Sequence, residues 1–196
     1  MNPAPASFHA LHKTSTREAI LDAVERCLSK GALDEITFNQ VAQEAGVSER
    51  TVYRHFETKE LMLEAFWGRI QQTLGIERST RSWKDYLETR PEAFEQMDKR
   101  ERLIRAVMQS TQAADARKRI NAARQAGIRR VVADRAGKLP EPAFTELCAL
   151  VHLLGSAPAW AALKDYWGID GANAGRVVAR AIATLASAAT HEKGSA

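Results

Sequence analysis

Apolar residues recur along this chain at helical spacing, and no segment has the alternating pattern of a β-strand. Phe38, Val41, Ala42 and Ala45 follow the i, i+3, i+4, i+7 pattern that buries one face of a helix. Beyond residue 76 the same spacing predicts helices over residues 82–97, 99–109, 115–137, 142–155, 157–167 and 171–190. Pro91 is expected to kink or split the first of these, because proline lacks an amide hydrogen. The pattern therefore predicts an all-α chain.

Capping residues divide the segment from Thr37 to about residue 76 into three helices. Thr37 and Gln40 have the spacing of a capping box, in which each side chain binds the other residue's backbone amide. Gly46 can adopt the left-handed conformation that ends a helix sharply. Ser48 and Thr58 are then expected to cap the next two helices. Two short helices joined by a tight turn form the layout of a helix-turn-helix, which reads the DNA major groove.

The second helix of this unit is expected to bury Val52 and Phe56, which are four residues apart. Its outer arc then carries Arg50, Thr51, Tyr53, Arg54 and His55. Arginine pairs bidentately with guanine, and a threonine methyl can contact thymine. Tyrosine, histidine, lysine and helix N-termini suit phosphate groups. An ordinary helical hairpin with a polar surface is the alternative, but the caps and the glycine at these offsets favour a DNA reader.

The same segment resembles the TetR (tetracycline-repressor-like) family of transcriptional regulators. The matching positions are Thr37, Val41-Ala42, Ala45-Gly46-Val47-Ser48, Thr51, Tyr53, His55-Phe56, Lys59-Glu60 and Leu61. Val41 replaces the isoleucine usual in the family, which is a conservative core change. The resemblance extends over about residues 15–76, where Ser15 and Glu18 have the spacing of a second capping box. The rest of the chain resembles the family only in its helical pattern and length.

The resemblance implies an N-terminal three-helix helix-turn-helix DNA-binding domain plus a C-terminal helical ligand-binding and dimerisation domain. We place the former at residues 15–60 and the latter at residues 61–196, after a Pro/Ala/Ser-rich arm at residues 1–14 that we expect to be disordered. It implies phosphate contacts by Thr37, Tyr53, His55 and Lys59, and a groove-facing set of Ser48, Glu49, Arg50, Thr51 and Arg54. Arg50 is the strongest candidate for a base contact, whereas Glu49 is better explained as a partner of the helix dipole.

Apolar stripes on the late helices predict a dimer interface. Small residues in the final helix allow close helix approach, as a four-helix bundle between two chains requires, and the family pairs its subunits there. The candidate interface residues are Leu147, Val151, Leu154, Val178, Ile182 and Leu185. A two-fold dimer would bind a palindromic double-stranded DNA operator. The alternative is that these stripes fill the core of the monomer.

A small-molecule effector is the second partner that the resemblance implies. Aromatic residues suit such a pocket because they supply large apolar walls. The candidate lining residues are Trp83, Phe94, Met97, Leu103, Val107 and Met108. Ordinary core packing is the alternative for each tryptophan taken singly.

Charge is distributed unevenly along the 196 residues, which include 28 Lys+Arg and 24 Asp+Glu. Residues 1–70 hold 8 basic and 10 acidic residues, so DNA binding must depend on the local placement of a few cations. Residues 99–138 hold 12 basic and 3 acidic residues, a surplus of nine positive charges. Solvated helix faces would explain this surplus, and attraction of an anionic effector is the sharper hypothesis.

Other classes of protein find no support in the sequence. Two cysteines cannot build a disulfide framework or a cysteine-rich metal site, and the five histidines are scattered. No catalytic or phosphate-binding motif occurs, so we expect no enzyme activity, no metal and no cofactor. No apolar run has membrane-spanning length, and we expect a cytoplasmic protein. The sequence thus predicts a ligand-responsive, homodimeric repressor, with a constitutive DNA-binding protein that lacks an effector as the alternative.

Overall fold

The computed structural model describes residues 8–30, 36–73, 81–109 and 111–191, with backbone alone for residues 8–14 and 111–120. These ranges are helical and contain no strand, which confirms the predicted all-α fold. The helices are α1 (Phe8–Lys30), α2 (Phe38–Ala45), α3 (Glu49–His55), α4 (Lys59–Thr73), α5 (Trp83–Glu88), α6 (Arg90–Lys99), α7 (Glu101–Gln109), α8 (Thr111–Ala136), α9 (Glu141–Leu154), α10 (Ala157–Trp167) and α11 (Gly171–His191).

The first helix begins earlier than its sequence signal suggests. α1 starts at Phe8, so Ser15 lies inside the helix and the capping box predicted there is wrong. No glycine or proline occurs between Phe8 and Thr16, and the helix therefore continues upstream of Ser15. The backbone of residues 8–14 is part of α1, residues 1–7 lie outside the described ranges, and the disordered arm stays a prediction. Pro91 splits its predicted helix as expected, because it lies in the first turn of α6 directly after α5 ends.

The N-terminal domain is built around one buried apolar cluster. α1 contributes Ile20, Val24 and Leu28 to it, and each of these side chains is almost fully buried. α2 contributes Val41 and α3 contributes Val52, and both side chains are fully buried. Two short helices have little stability alone, so the packing of α2 on the longer α1, and of α3 on α2, holds the pair in place.

The final helix crosses α6 at unusually close range. Gly175 lies against the α6 backbone, where an added Cβ would stand 2.5 Å from the Cα of Pro91. At Gly171 an added Cβ would stand 2.7 Å from the carbonyl carbon of Phe94. These distances are shorter than any normal van der Waals contact. The small residues of α11 therefore serve packing within one chain, which differs from their predicted role between two chains.

The apolar stripes of α9 and α11 also face mainly inward. Four residues of the predicted dimer interface are at most 3% exposed in the single chain, which favours the alternative of a monomer core, and the interface itself stays a prediction: Leu147, Val151, Val178 and Ile182. Leu154 and Leu185 are partly buried and pack against the same core. On the outer face of α9, Leu150 and Leu153 are 42% and 58% exposed instead. The alternative of a monomer core thus holds for four of the six predicted residues.

Asp98 joins three helices at the centre of the second domain. Its Oδ1 accepts hydrogen bonds from Trp160 Nε1 and Lys164 Nζ, each at 2.9 Å, and its Oδ2 accepts one from the Gly171 amide at 2.6 Å. Burial raises the pKa of Asp98, but hydrogen bonds from Lys164, Gly171 and Trp160 outweigh it and leave the pKa below its usual value. The carboxylate therefore ties α6 to α10 and to the start of α11.

Replacing Asp98 with asparagine is expected to lower the free energy of unfolding by about 2 kcal/mol at pH 7, because charge-assisted hydrogen bonds are lost. A carboxyl whose folded pKa is depressed stabilises the fold above its unfolded pKa, roughly 3.9. That contribution is lost as the pH falls through the folded pKa. Urea unfolding of both proteins at one protein concentration should give a difference that narrows below about pH 4. A difference of constant size between pH 7 and pH 3 would contradict this role of the charge.

Candidate nucleic-acid interface

The turn between α2 and α3 has the local geometry that the sequence predicts. The Gln40 amide donates to Thr37 Oγ1 at 3.2 Å, and the Thr37 amide donates to Gln40 Oε1 at 2.9 Å. Gly46 ends α2 with a φ of 67°, in the left-handed region. The next amide, that of Val47, donates back to the Ala42 carbonyl at 3.0 Å. Each bond satisfies a backbone group at a helix end, which fixes the angle at which α3 leaves the turn.

Ser48 begins α3 and pairs with a neighbour on the same helix face. Its Oγ accepts the Thr51 amide at 3.2 Å, as an N-cap does, and lies 2.8 Å from Thr51 Oγ1. The two hydroxyls are thus hydrogen-bonded to each other in the free protein. One hydroxyl donates this bond, and the other keeps its own hydrogen to donate to a further group.

The outer arc of α3 is exposed and mainly cationic. Glu49, Arg50, Tyr53 and Arg54 are all exposed, while Val52 and the following Phe56 are buried beneath them. The Tyr53 ring packs edge-on against Phe38, with ring centroids 4.5 Å apart. A shallow concavity brings together five of the predicted DNA-binding residues, namely Ser48, Arg50, Thr51, Tyr53 and Arg54.

The remaining predicted contacts lie at the ends of neighbouring helices. Thr37 is exposed at the start of α2, and His55 is half-buried in the last turn of α3. Lys59 is half-buried at the first residue of α4, whose start Thr58 caps by accepting the Leu61 amide at 3.3 Å. Two helix N-termini with partial positive charge therefore flank the recognition helix.

Acidic residues of this domain are paired away from α3. Glu44 binds Arg26 and Lys30, each at 2.7 Å, and hydrogen bonds from Lys30 and Arg26 hold the pKa of Glu44 below its usual value. Arg69 on α4 binds the carboxylates of Asp22 and Glu25 on α1. Several acidic residues of this half of the chain are therefore paired on other helices, and Arg50 and Arg54 are the cations that α3 exposes.

Glu25 also connects the two domains, which the sequence did not predict. Its Oε2 lies 3.2 Å from Arg69 Nη2 on α4, and its Oε1 lies 3.3 Å from Arg100 Nε, between α6 and α7. Each of these side chains is at most 30% exposed. We call these three residues the Glu25 joint. Its members are far apart in sequence, and the sequence does not indicate which carboxylate pairs with which guanidinium group.

The predicted effector-pocket residues belong mainly to the core. Phe94, Met97 and Leu103 are buried, and Trp83, Val107 and Met108 are partly buried against them. A cavity of about 400 Å³ lies elsewhere, between α8 and α9, and none of the six residues lines it. Core packing thus describes Phe94, Met97 and Leu103, while Trp83 packs against the core but is only partly buried. An effector site formed by these six side chains stays a prediction.

The basic run at residues 99–138 is partly neutralised by ion pairs. Arg105 binds Glu101 at 2.8 Å and Asp165 at 2.5 Å, and Arg129 binds Glu141 at 2.8 Å. The side chains of residues 117–119 lie outside the described part. Solvated and paired helix faces therefore account for some of the surplus charge.

Two features of the described residues bear on other classes of site. No group of three or more metal-binding side chains occurs within residues 8–30, 36–73, 81–109 and 111–191. In the same ranges no single helix is long and apolar enough to cross a membrane. Only α9 and α10 taken together pass that test, and they are bent by 57°.

A capped helix-turn-helix on a small helical domain, followed by a larger helical domain, defines a class of two-domain helical DNA-binding proteins. The family model "Bacterial regulatory proteins, tetR family" matches residues 20–66. The match covers the N-terminal helices only, which are therefore similar to the DNA-binding part of that family, and solved structures of tetR-type regulators share the fold over most of the chain. The family model and these solved structures carry the names of transcriptional regulators and of a repressor, and none of them is named as an enzyme.

The curated relatives match less than half of the chain. The nucleoid occlusion factor SlmA of Alteromonas mediterranea is 38% identical over 65 residues, which are 33% of this chain and 33% of the relative. An uncharacterised HTH-type transcriptional regulator of Haemophilus influenzae is 33% identical over 87 residues, which are 43% of this chain and 44% of the relative. The chain therefore spans less than half the length of these relatives.

The structural neighbours cover both domains at low identity. A tetR-family transcriptional regulator from Streptomyces coelicolor has a TM-score of 0.65 and 21% identity, over 90% of this chain and 86% of the neighbour. NalD, the secondary repressor of the MexAB-OprM multidrug efflux pump in Pseudomonas aeruginosa, has a TM-score of 0.62 and 17% identity, over 88% and 95%. At these identities the likeness establishes the fold alone.

Proposed function

We propose that the chain is a DNA-binding transcriptional regulator, a repressor that binds a palindromic operator as a homodimer and is released by a small hydrophobic effector. One observation carries the proposal. The Ser48-capped helix α3 presents Arg50, Tyr53 and Arg54 in one exposed concavity, while Val52 anchors the helix from below. A rigid helix with arginines on its outer arc is what direct readout of the major groove requires.

Each exposed group has an assigned role in this proposal. Arg50 pairs with a guanine, because its guanidinium can donate two parallel hydrogen bonds to one base edge. Arg54 and the methyl group of Thr51 contact neighbouring positions in the groove. Phosphate contacts fix the register of the protein on the DNA, and they come from Thr37, Tyr53, His55 and Lys59. Ser48, at the start of α3, belongs to the groove-facing set. Glu49 lies in the first turn of α3, where its charge complements the helix dipole.

The dimer in this proposal forms through the outer faces of α9 and α11. Leu150 is exposed on α9, and Leu185 of the predicted interface is partly exposed on α11. A two-fold pairing of these faces would place the two recognition helices about one turn, ~34 Å, apart on the DNA. An effector that binds one arrangement more tightly shifts the population toward it and releases the operator.

Selection of bound sequences from a random DNA pool tests the proposal. The full chain should enrich a palindromic consensus with guanine at a fixed position in each half-site. An enriched consensus without two-fold symmetry would contradict the dimeric mode of binding. No enrichment at low salt would contradict sequence-specific DNA binding as such.

A constitutive DNA-binding protein is the second candidate, and a thermal-shift screen separates it from a ligand-responsive one. A ligand that binds the folded state raises the melting temperature by mass action. If no small molecule stabilises the fold, the second domain serves dimerisation alone.

A further inference from the structure

We infer that the cavity between α8 and α9 is a binding site for an amphipathic monoanion, a molecule with an apolar body and one carboxylate or similar group. The inference rests on the proposed function, since it names the chemical class of the effector. The cavity measures about 400 Å³, within the range of small-molecule sites, and it is half-open to solvent. It is separate from the residues for which the sequence predicted a pocket.

Two helix faces form the walls of this cavity. Ile128 and Arg129 line it from α8, and Cys148, Ala149, His152 and Leu153 line it from α9. The α9 residues are spaced at i, i+1, i+4 and i+5, which places them on one side of that helix. A short connection of residues 137–140 joins α8 to α9, so the two walls belong to consecutive helices. The site is therefore built on regular elements and not on a loop.

The lining is apolar in the middle and polar at both ends. Ile128, Cys148, Ala149 and Leu153 supply the apolar part. Arg129 and Thr145 lie at the end near the α8–α9 turn, where Arg129 Nη1 donates to Thr145 Oγ1 at 3.1 Å. His152 and Ser156 lie at the far end of α9. An apolar body fits between two ends that can bind polar groups, and it would cover Leu153, which is 58% exposed without it.

The charge of the cavity favours an anion over a cation. Arg129 is its charged lining residue, and no carboxylate is among the described residues that line it. Glu141, the ion-pair partner of Arg129, is 72% exposed, and an exposed ion pair is weak enough to be shared with a ligand. At the far end burial, and then the nearby charge of Arg124, lowers the pKa of His152. His152 is thus neutral at pH 7 and keeps both a donor and an acceptor for a polar group.

Fluorescence of 8-anilinonaphthalene-1-sulfonate, an apolar monoanion, tests this site in the full chain. The dye should bind saturably, and decanoate should displace it. Decyltrimethylammonium has the same chain length and the opposite charge, so it should displace the dye at least about tenfold less well. Equal displacement by the two compounds would overturn the assignment of an anion site.

Two variants locate the site. Ala149→Trp fills the cavity from an exposed position and should weaken dye binding at least about tenfold. The matched control Ala123→Trp adds the same ring to an exposed α8 position outside the cavity and should bind as the parent does. Arg129→Gln should weaken binding of the anionic dye and of decanoate, and it should reduce the preference for decanoate over decyltrimethylammonium. Parent-like affinity in Ala149→Trp would place the dye elsewhere and overturn the inference.

Size-exclusion chromatography and operator binding separate the remaining outcomes. If Ala149→Trp converts a dimer into monomers and the parent binds no dye, the groove is a subunit interface and the inference fails. If Ala149→Trp binds the operator normally but decanoate no longer releases it, both the inference and the proposed function are supported. If the parent binds the dye in the cavity but enriches no DNA, the proposed function fails while the anion site stands.

Discussion

Replacing Gly175 with valine is expected to lower the free energy of unfolding by about 3 kcal/mol. The Cβ of any side chain at this position would stand 2.5 Å from Pro91 Cα and 2.6 Å from the Arg90 carbonyl carbon. Both atoms belong to the backbone of α6, so no flexible side chain can move aside to relieve the clash. α11 and α6 must separate, and the contacts of Ala174 and Val178, both fully or almost fully buried, are weakened as a result.

Urea unfolding followed by circular dichroism at one protein concentration measures this loss. Ala188→Val is the matched control, because it introduces the same side chain at an exposed position of the same helix. Valine costs roughly half a kcal/mol in an exposed helix, so the control should remain close to the parent. Similar stability of the two variants would mean that α11 does not approach α6 as closely as the structure describes.

Replacing Arg50 with alanine is expected to weaken binding to the selected operator by about 100-fold or more, because a bidentate arginine–guanine contact contributes about 1–3 kcal/mol and a symmetric site contains two. Arg50 is exposed, and the described contacts include no hydrogen bond or ion pair of its side chain. The thermal stability and the oligomeric state should therefore not change. Fluorescence anisotropy with the operator and with a scrambled duplex measures both specific and nonspecific affinity.

Two further variants separate the base contact from general charge. Arg180→Ala removes the same charge from an exposed position on α11, and it should leave operator binding near the parent level. Arg50→Lys keeps the charge but lacks the planar fork, so nonspecific binding should persist while sequence preference falls. If Arg50→Ala and Arg180→Ala bound the operator alike, the assignment of α3 as the reading element would be wrong.

The helix-turn-helix was predictable because its determinants are local. The Thr37 capping box, the left-handed Gly46 and the Ser48 cap each act within three or four residues, and the structure contains all three. The start of α1 was predicted wrongly because the prediction relied on such a local signal alone. Ser15 has the right spacing for a cap, but the sequence before it contains nothing that stops a helix from continuing.

The late helices show where sequence reasoning ends. The stripes through Val151 and Ile182 were found correctly as apolar faces, but their pattern does not say which surface covers them. Which surface covers these faces depends on how α11 crosses α6. That crossing is set by Gly171 and Gly175, whose contacts on α6 lie about 80 positions earlier in the sequence. Asp98 was missed as well, because its three donors come from α10 and from the start of α11.

The Glu25 joint has a consequence for how ionic strength and effector act on the same protein. Its carboxylate and its two guanidinium groups are mostly shielded from water, so mobile ions reduce their attraction only weakly. The arginines of α3 face solvent, and their attraction to a polyanion falls steeply as salt is added. Under the proposed function, added salt can therefore release the DNA while the ion pairs of the Glu25 joint stay intact. An effector would release the DNA in a different way, by changing the position of one domain relative to the other at the Glu25 joint.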